Sequence, residues 1–404
     1  SRTREMVPRP TQRVGGLRVL AYENRENASF HRMVSETAAA TGLPVTIGAI
    51  APASRRNLMS GDRERWLRGV LPTVRERLVL NVDATDALLL CTAEELSRKY
   101  DALAGSSSDL VVGGEVRAWP RYFRYEGVSI YRNMRSANAT AYPARPDGMN
   151  GVLPRYVNIG TILGPARSYA KMLECMHEAY GGYPDNGAAC PADRRADGEY
   201  LSPRQFRPPV RVPDVHERNA TRLVAADSSL VNEQSCYHMY FIDGSLGRLA
   251  DGCPRLRMDY NGSVVVHLQK VSDRLLLRAP RPVWEPTGEA PCIVHAPGSS
   301  KYVLPSLQLW WDVARRGRLG EQFSEAALHD RFRAHVAAST RPDGRHAFDH
   351  ALAGAYFHRH MLPHLMGLQK TATLACSSGL RCKAVTYRAV QTTVSVALQR
   401  APCT

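Results

Sequence analysis

The sequence predicts an α/β fold, a Rossmann-like mixed sheet flanked by helices with a helical extension at the C-terminal end, and three observations carry that prediction. Continuous apolar runs at 17–21, 45–50 and 78–82 alternate with stretches of helical spacing at 28–41 and from Asp62 through Trp66 to Val70 and Val74. A strand covered on both faces has to be apolar throughout, and strand, helix, strand, helix, strand in that order reads as a parallel α/β unit. The third run stops at Asn81-Val82-Asp83-Ala84-Thr85-Asp86, with its carboxylates beyond the carboxyl end of a strand, where open α/β sheets bind ligands. Beyond Lys301 the spacing turns helical at 307–315, 324–338 and 348–368.

The remaining elements follow in order. Residues 93–100 read as a short helix and 110–113 as a strand. Residues 156–163 read as a strand that feeds a helix at 165–179, with Pro165 at the first helical position, where its missing N–H costs nothing. From 181 to 215 the chain is rich in Pro, Gly, Arg and Asp without periodicity, the pattern of a surface insertion. Helical or strand patterning resumes at 229–242 and 263–268, and 292–295 is a short apolar run ending at His295. The expected division is a flexible tail at 1–16, a main domain at 17–305 and the helical extension at 306–404, with no internal repeat.

The 404 residues suffice for a large core, and no run reaches the roughly 18 to 20 apolar residues that cross a bilayer. The N-terminal residues lack the basic-then-apolar order of a signal peptide, so a leader would have been removed. The formal charge of +15 is mostly arginine, scattered rather than blocked, and no nucleic-acid motif accompanies it, so nucleic acid is not an expected partner. Nine cysteines without C-x-x-C pairs suggest disulfides, with at least one thiol left over. Asn27, Asn138, Asn219 and Asn261 head N-x-S/T sequons. Cysteines and sequons together indicate the secretory pathway, in the endoplasmic reticulum or Golgi lumen or outside the cell.

Two carboxylates three residues apart after a buried strand suit a divalent cation held by few protein oxygens, leaving coordination positions for a diphosphate. Four further blocks follow: Gly114-Glu115-Val-Arg-Ala-Trp119-Pro120, Asn158-Ile-Gly160-Thr-Ile-Leu-Gly164, Asn232-Glu233-Gln234 and Val294-His295-Ala-Pro-Gly298-Ser-Ser-Lys301. In type and order these resemble the D-x-x-D, the acidic and Trp-Pro segment, the L-N-S-G-G-F-I-G strand, the D-D-Q segment and the V-H-G-N-G of a known family. That family is the glycosyltransferase domain of procollagen lysyl hydroxylases and related collagen glucosyl- and galactosyltransferases. The resemblance spans 17–307, about three quarters of the chain.

The resemblance implies a GT-A-type fold and transfer of glucose or galactose, with retention at the anomeric carbon, from UDP-glucose or UDP-galactose. The implied acceptor is a protein or glycan hydroxyl, namely hydroxylysine or galactosyl-hydroxylysine in collagen-like protein. It implies Asp83, Asp86 and His295 as ligands of Mn²⁺ or another divalent cation, a mixed oxygen and imidazole shell that suits manganese. Arg63 and Trp66 match a basic and an aromatic residue flanking the nucleotide, Tyr22 is placed to cover the base, and Gly298 and Lys301 close the late block. Thr85 stands where the family carries a tyrosine beside the uridine, which removes any ring stacking. Glu233 and Asn232 replace paired aspartates, leaving Glu233 as the catalytic candidate, to orient the acceptor hydroxyl or stabilise positive charge at the sugar. Trp119, Asn158 and Gly160 fall on the sugar and acceptor side, where Ile159 and Thr161 depart from the glycine-rich pattern.

Other readings accompany this one. A non-catalytic relative with the same fold fits the departures at Thr85, Asn232 and Ala296-Pro297. The histidines His346, His350, His358, His360 and His364 suggest a second metal site, without any H-E-x-x-H pattern. A transferase acting on modified bases would reconcile the charge with the motifs.

Overall fold

The computed structural model describes residues 16–23, 32–48, 62–117, 124–125, 128–142, 154–180, 210–213, 221–224, 233–269, 271–278, 281–316, 325–338, 350–365, 368–373 and 385–389. The predicted class holds: a six-stranded mixed sheet flanked by helices. β1 (Leu17–Tyr22), β2 (Val45–Gly48) and β3 (Leu78–Asp83) run parallel with β1 in the middle, joined through α1 (Arg32–Thr41) and α2 (Asp62–Val70). Parallel neighbours cannot be joined by a tight turn, so each crossover carries a helix. After the short β4 (Ala87–Leu89), the helix α3 (Ala93–Leu103) starts on Thr92, whose side chain accepts the Glu95 N–H.

The first unit is parallel and past β3 the sheet becomes mixed, as predicted. β5 (Leu110–Glu115) leads to the hairpin β6 (Arg124–Tyr125) and β7 (Val128–Ser129), then α4 (Ile130–Ala141), β8 (Tyr156–Gly164) and α5 (Ala166–Tyr180). β8 lies between β3 and β5 and is antiparallel to both. All nine residues of β8 are buried, and a fully buried strand shows the same apolar run in either direction. β9 (Val210–Pro213), inside the predicted insertion, pairs with β10 (Thr221–Val224) beyond its end. α6 (Glu233–Ser245) follows, and β11 (Leu256–Met258) extends the sheet beside β5, giving the order β11-β5-β8-β3-β1-β2.

A second sheet is built on β4, which continues from β3 through the turn at 84–86. β12 (Val265–His267) is followed by the small pair β13 (Leu275–Leu276) and β14 (Val283–Trp284) and then by β15 (Ile293–His295), in the order β12-β15-β4. α7 (Leu304–Arg315), α8 (Glu325–Ala338), α9 (His350–Tyr356) and α10 (Leu362–Leu365) follow, with a π-helical turn at Phe357–Met361 between the last two. The extension is not helical throughout, because β16 (Leu368–Thr373) pairs with β17 (Val385–Ala389) in a hairpin.

Strand periodicity sorts the core into layers. In β3, Leu78, Leu80 and Val82 join one apolar cluster with α1 and α3, while Val79 joins another with α5 and α6. In the second sheet, Ala87, Leu89, Val265 and Ile293 face the central sheet, while Leu88, Val266 and Val294 face α7. Alternate residues of one strand thus serve opposite layers, as its period of two requires. Leu304, Leu307, Leu309, Trp310 and Trp311 of α7 are all buried against the outer face. Loss of one such side chain to alanine costs about 2–5 kcal/mol.

Two disulfides form among the described residues, Cys91–Cys292 within the second sheet and Cys175–Cys253 between α5 and the segment before β11. Asn138 is buried, with its amide donating to the carbonyls of Met134 and Arg155 and accepting from Tyr260, so this sequon is no glycan acceptor in the folded chain. Cys91–Cys292 closes a loop of 201 residues between the end of β4 and the start of β15. Replacing both cysteines by alanine is expected to lower unfolding stability by about 2–5 kcal/mol, read from denaturant midpoints of the oxidised proteins.

Candidate metal centre

The site forms where the two sheets meet. In β3 every residue from Leu78 to Val82 is buried, and Asp83 is the first to reach an opening. A three-residue turn brings Asp86 to the start of β4, where Ala87 pairs with His295 in β15. The Ala296 N–H donates to the Asp86 carbonyl at 2.9 Å, locking the turn to β15. His295 is wholly buried, and its Nε2 lies 3.3 Å from Asp83 Oδ2 and 3.5 Å from Asp86 Oδ1. Asp83, Asp86 and His295, which the sequence brought together only by resemblance, offer ligand atoms all within 4.8 Å of one another.

Two observations fit this trio to a divalent cation. The buried His295 Nε2 has no hydrogen-bond partner, although it faces two carboxylates. Gly160 packs directly on the trio: a Cβ there would come within 2.2 Å of His295 Cε1 and 2.8 Å of Asp83 Oδ2. The register pairing Val82 with Thr161 puts Gly160 beside Asp83, so this glycine sits against the ligand cluster. The other described group of metal-binding residue types, Cys91, Glu95 and Cys292, is taken up by the disulfide. Of the C-terminal histidines, His346 lies outside the described residues, and His358 is exposed and belongs to no such group.

The electrostatics match a cation site. Burial works against the Asp86 carboxylate, yet Lys301 and His295 hold it well below its ordinary range. Asp83 is likewise held down against burial by the neighbouring His295 imidazole and by Arg63. Burial disfavours a charged His295, but Asp86 and Asp83 push it up to about 9, so without a metal the ring keeps a proton between the carboxylates.

Several residues predicted beside the nucleotide surround the trio. Lys301 Nζ lies 3.0 Å from Asp86 Oδ2 and donates to Thr85 Oγ1 at 3.3 Å, while Thr85 donates to Asp86. Arg63 is buried and pairs with Asp83 at 2.9 Å. Tyr22 and Trp66 pack with ring centroids 5.8 Å apart. The absent side chain of Gly48 admits the Trp66 indole, which a Cβ would meet at 1.9 Å. Gly298 has a left-handed backbone (φ 57°) and starts the 3-10 turn that presents Lys301.

On the opposite flank the structure reveals a buried polar knot that the sequence had only framed. Gln234 Nε2 donates to Glu115 Oε1 at 2.8 Å, and Asn158 Nδ2 donates to Glu115 Oε2 at 3.2 Å. The Gly160 N–H donates to Asn158 Oδ1, joining this knot to the metal cluster. Burial pushes Glu115 up to about 7 despite those bonds. Glu115 and Gln234 were visible as members of motif blocks without a role, and their mutual contact joins positions 119 apart. Glu233 is the first residue of α6, whereas Asn232 and Trp119 lie outside the described residues.

With this geometry in place, comparison with known proteins finds no matching protein family and no similar curated protein. Among solved structures, two similar ones share little sequence with this chain. One is a glycosyltransferase involved in glycosylation of the major capsid of PBCV-1, at 9% identity over 70% of this chain and 94% of that one, with a TM-score of 0.33. Another is mouse xyloside xylosyltransferase 1, at 9% identity over 71% of this chain and 98% of that one, also with a TM-score of 0.33. Both of those proteins transfer sugars.

The geometry generates two expectations. Replacing Gly160 by alanine displaces His295 or Asp83 and is expected to weaken manganese binding at least tenfold, measured by the electron paramagnetic resonance of the free ion. Because a cation must replace the His295 proton, affinity should rise about tenfold per pH unit from about pH 6 to 8. The same titration in buffers across that range reads the slope.

Proposed function

We propose that the chain is a metal-dependent glycosyltransferase that moves a hexose from a UDP-sugar to a hydroxyl acceptor. The observation that carries this reading is the convergence of Asp83, Asp86 and His295 beside two cationic side chains at the carboxyl ends of β1 and β3. Asp83, Asp86 and His295 would hold the cation, Mn²⁺ by the mixed character of the donors. Bound there, the cation would neutralise charge on a departing diphosphate.

The protein's own groups supply the rest. Lys301 and Arg63 are placed to follow phosphate charge as it develops, since each already sits against a carboxylate of the centre. Tyr22 and Trp66 form the aromatic wall nearest β1 and β2, suited to a flat base. Glu115, held by Gln234 and Asn158, fixes the start of α6, where Glu233 is the candidate to orient the acceptor hydroxyl. UDP-glucose or UDP-galactose as donor and hydroxylysine or galactosyl-hydroxylysine as acceptor are proposals resting on the motif resemblance. Residence in the secretory pathway is proposed from the two disulfides, which persist in an oxidising compartment.

A second reading has its own observation. Arg63 and Lys301 each neutralise one carboxylate, so the trio is stable without any cation, as a non-catalytic relative would require. Calorimetric titration with UDP, with and without Mn²⁺, separates the two. The transferase reading expects manganese-dependent UDP binding that falls at least tenfold in an Asp83→Ala, Asp86→Ala double variant. Equal heats in both proteins, or none, would sink it in favour of the second reading.

A further inference from the structure

Beneath the metal centre lies a second histidine that no motif singled out. His267 and His295 are register partners in the parallel strands β12 and β15, so their side chains leave the same face of the sheet side by side. Their Nδ1 atoms are 2.7 Å apart, and the rings meet edge to face at 84°. His267 is buried, and the bond to His295 is the one side-chain hydrogen bond it makes among the described residues.

That geometry fixes the proton between the rings. Two nitrogens at hydrogen-bonding distance share a single proton, so one ring donates and the other accepts. A His295 ring that gives its Nε2 lone pair to a cation carries its own proton on Nδ1. It must therefore donate to His267, whose Nδ1 accepts and whose proton sits on Nε2. His267 cannot swing away from this duty. Its Nε2 abuts the bare backbone of Gly113 in β5, where even a Cβ would lie at 1.9 Å.

We propose that His267 is a positioning residue of the metal centre: as acceptor of the His295 Nδ1–H, it fixes both the tautomer and the ring plane that point Nε2 at Asp83 and Asp86. The inference rests on the reading of Asp83, Asp86 and His295 as a cation site and gives that site its outer shell. Metal-bound histidines are characteristically held this way through the far nitrogen, and loss of such a partner weakens metal binding about 10–100-fold. The usual partner is a carboxylate or carbonyl, so a neutral imidazole supplies orientation without adding negative charge.

The test compares His267→Leu, which fills the space without an acceptor, with His267→Asn, whose amide oxygen falls near the position of Nδ1. Manganese affinity is measured by electron paramagnetic resonance of the free ion with UDP present, alongside melting temperature. The expected result is a 10–100-fold loss in His267→Leu and affinity within about threefold of wild type in His267→Asn, at matched melting temperatures. Wild-type affinity in His267→Leu would overturn the proposal. Equal losses in the two variants would also overturn it, because a space-filling role does not distinguish them by an acceptor. Should His267→Leu not fold, His267→Gln takes its place. Its oxygen reaches toward the Nε2 position, so it is expected to bind weakly, and affinity equal to that of His267→Asn would overturn the proposal. If wild type and the Asp83→Ala, Asp86→Ala variant alike bind no manganese, the metal centre itself falls, and the role of His267 with it.

Discussion

The pairing of β4 with β15 is the constraint on which the site depends. Asp83 belongs to the central sheet, and His295 to a strand more than two hundred positions later, so nothing local brings them together. A turn of three residues after β3 turns the chain into a strand antiparallel to β15, with Ala87 opposite His295. Asp86, the residue before that pair, is then held at the imidazole by backbone hydrogen bonding. The Cys91–Cys292 bridge clamps the far end of the same strand pair, so the register is fixed from both sides.

The cost of such an arrangement is met by close packing around it. Two carboxylates and an imidazole converge in a largely buried place, and each needs a compensating charge or bond. Lys301 and Arg63 supply the charges, and glycines supply the space. Gly160 lets the trio approach β8, Gly113 lets His267 approach β5, and Gly48 lets Trp66 approach β2. In each case the residue is small because another side chain occupies the volume a Cβ would need, a packing reason rather than a need for unusual backbone angles.

How much of this the sequence disclosed follows from the range of each signal. The strands of the first α/β unit were legible because continuous apolar runs and helical spacing are local properties, and Asp83 and Asp86 were legible because they end such a run. The direction of β8 was hidden, since a fully buried strand has no polar face to orient it. His295 was reached only through the ordered motif resemblance. His267 was missed because a histidine at the end of a short apolar strand looks like any buried one until its partner strand is known. The hairpin at β16 and β17 escaped because the helical spacing was carried on to Leu368 and β16 has three polar residues in a row, so that only β17, Val385-Thr-Tyr-Arg-Ala389, alternates. The buried Asn138 shows the converse: a sequon is a three-residue pattern that is blind to burial.

Charge balance links the resting trio to its use. With His295 protonated, the carboxylates of Asp83, Asp86 and Glu64, which lies 3.8 Å from Arg63, balance the cations of Arg63, Lys301 and the imidazolium. A divalent cation that displaces the imidazole proton would leave one positive charge in excess. The ligand that best complements such a centre is an anion able to reach the metal and both cationic side chains at once, and a diphosphate has that span and charge. The same argument explains why Lys301 and Arg63 sit on the carboxylates instead of extending into solvent. In the absence of an anion they neutralise the centre, and in the proposed reading an arriving diphosphate would find them already oriented, with little side-chain order left to impose.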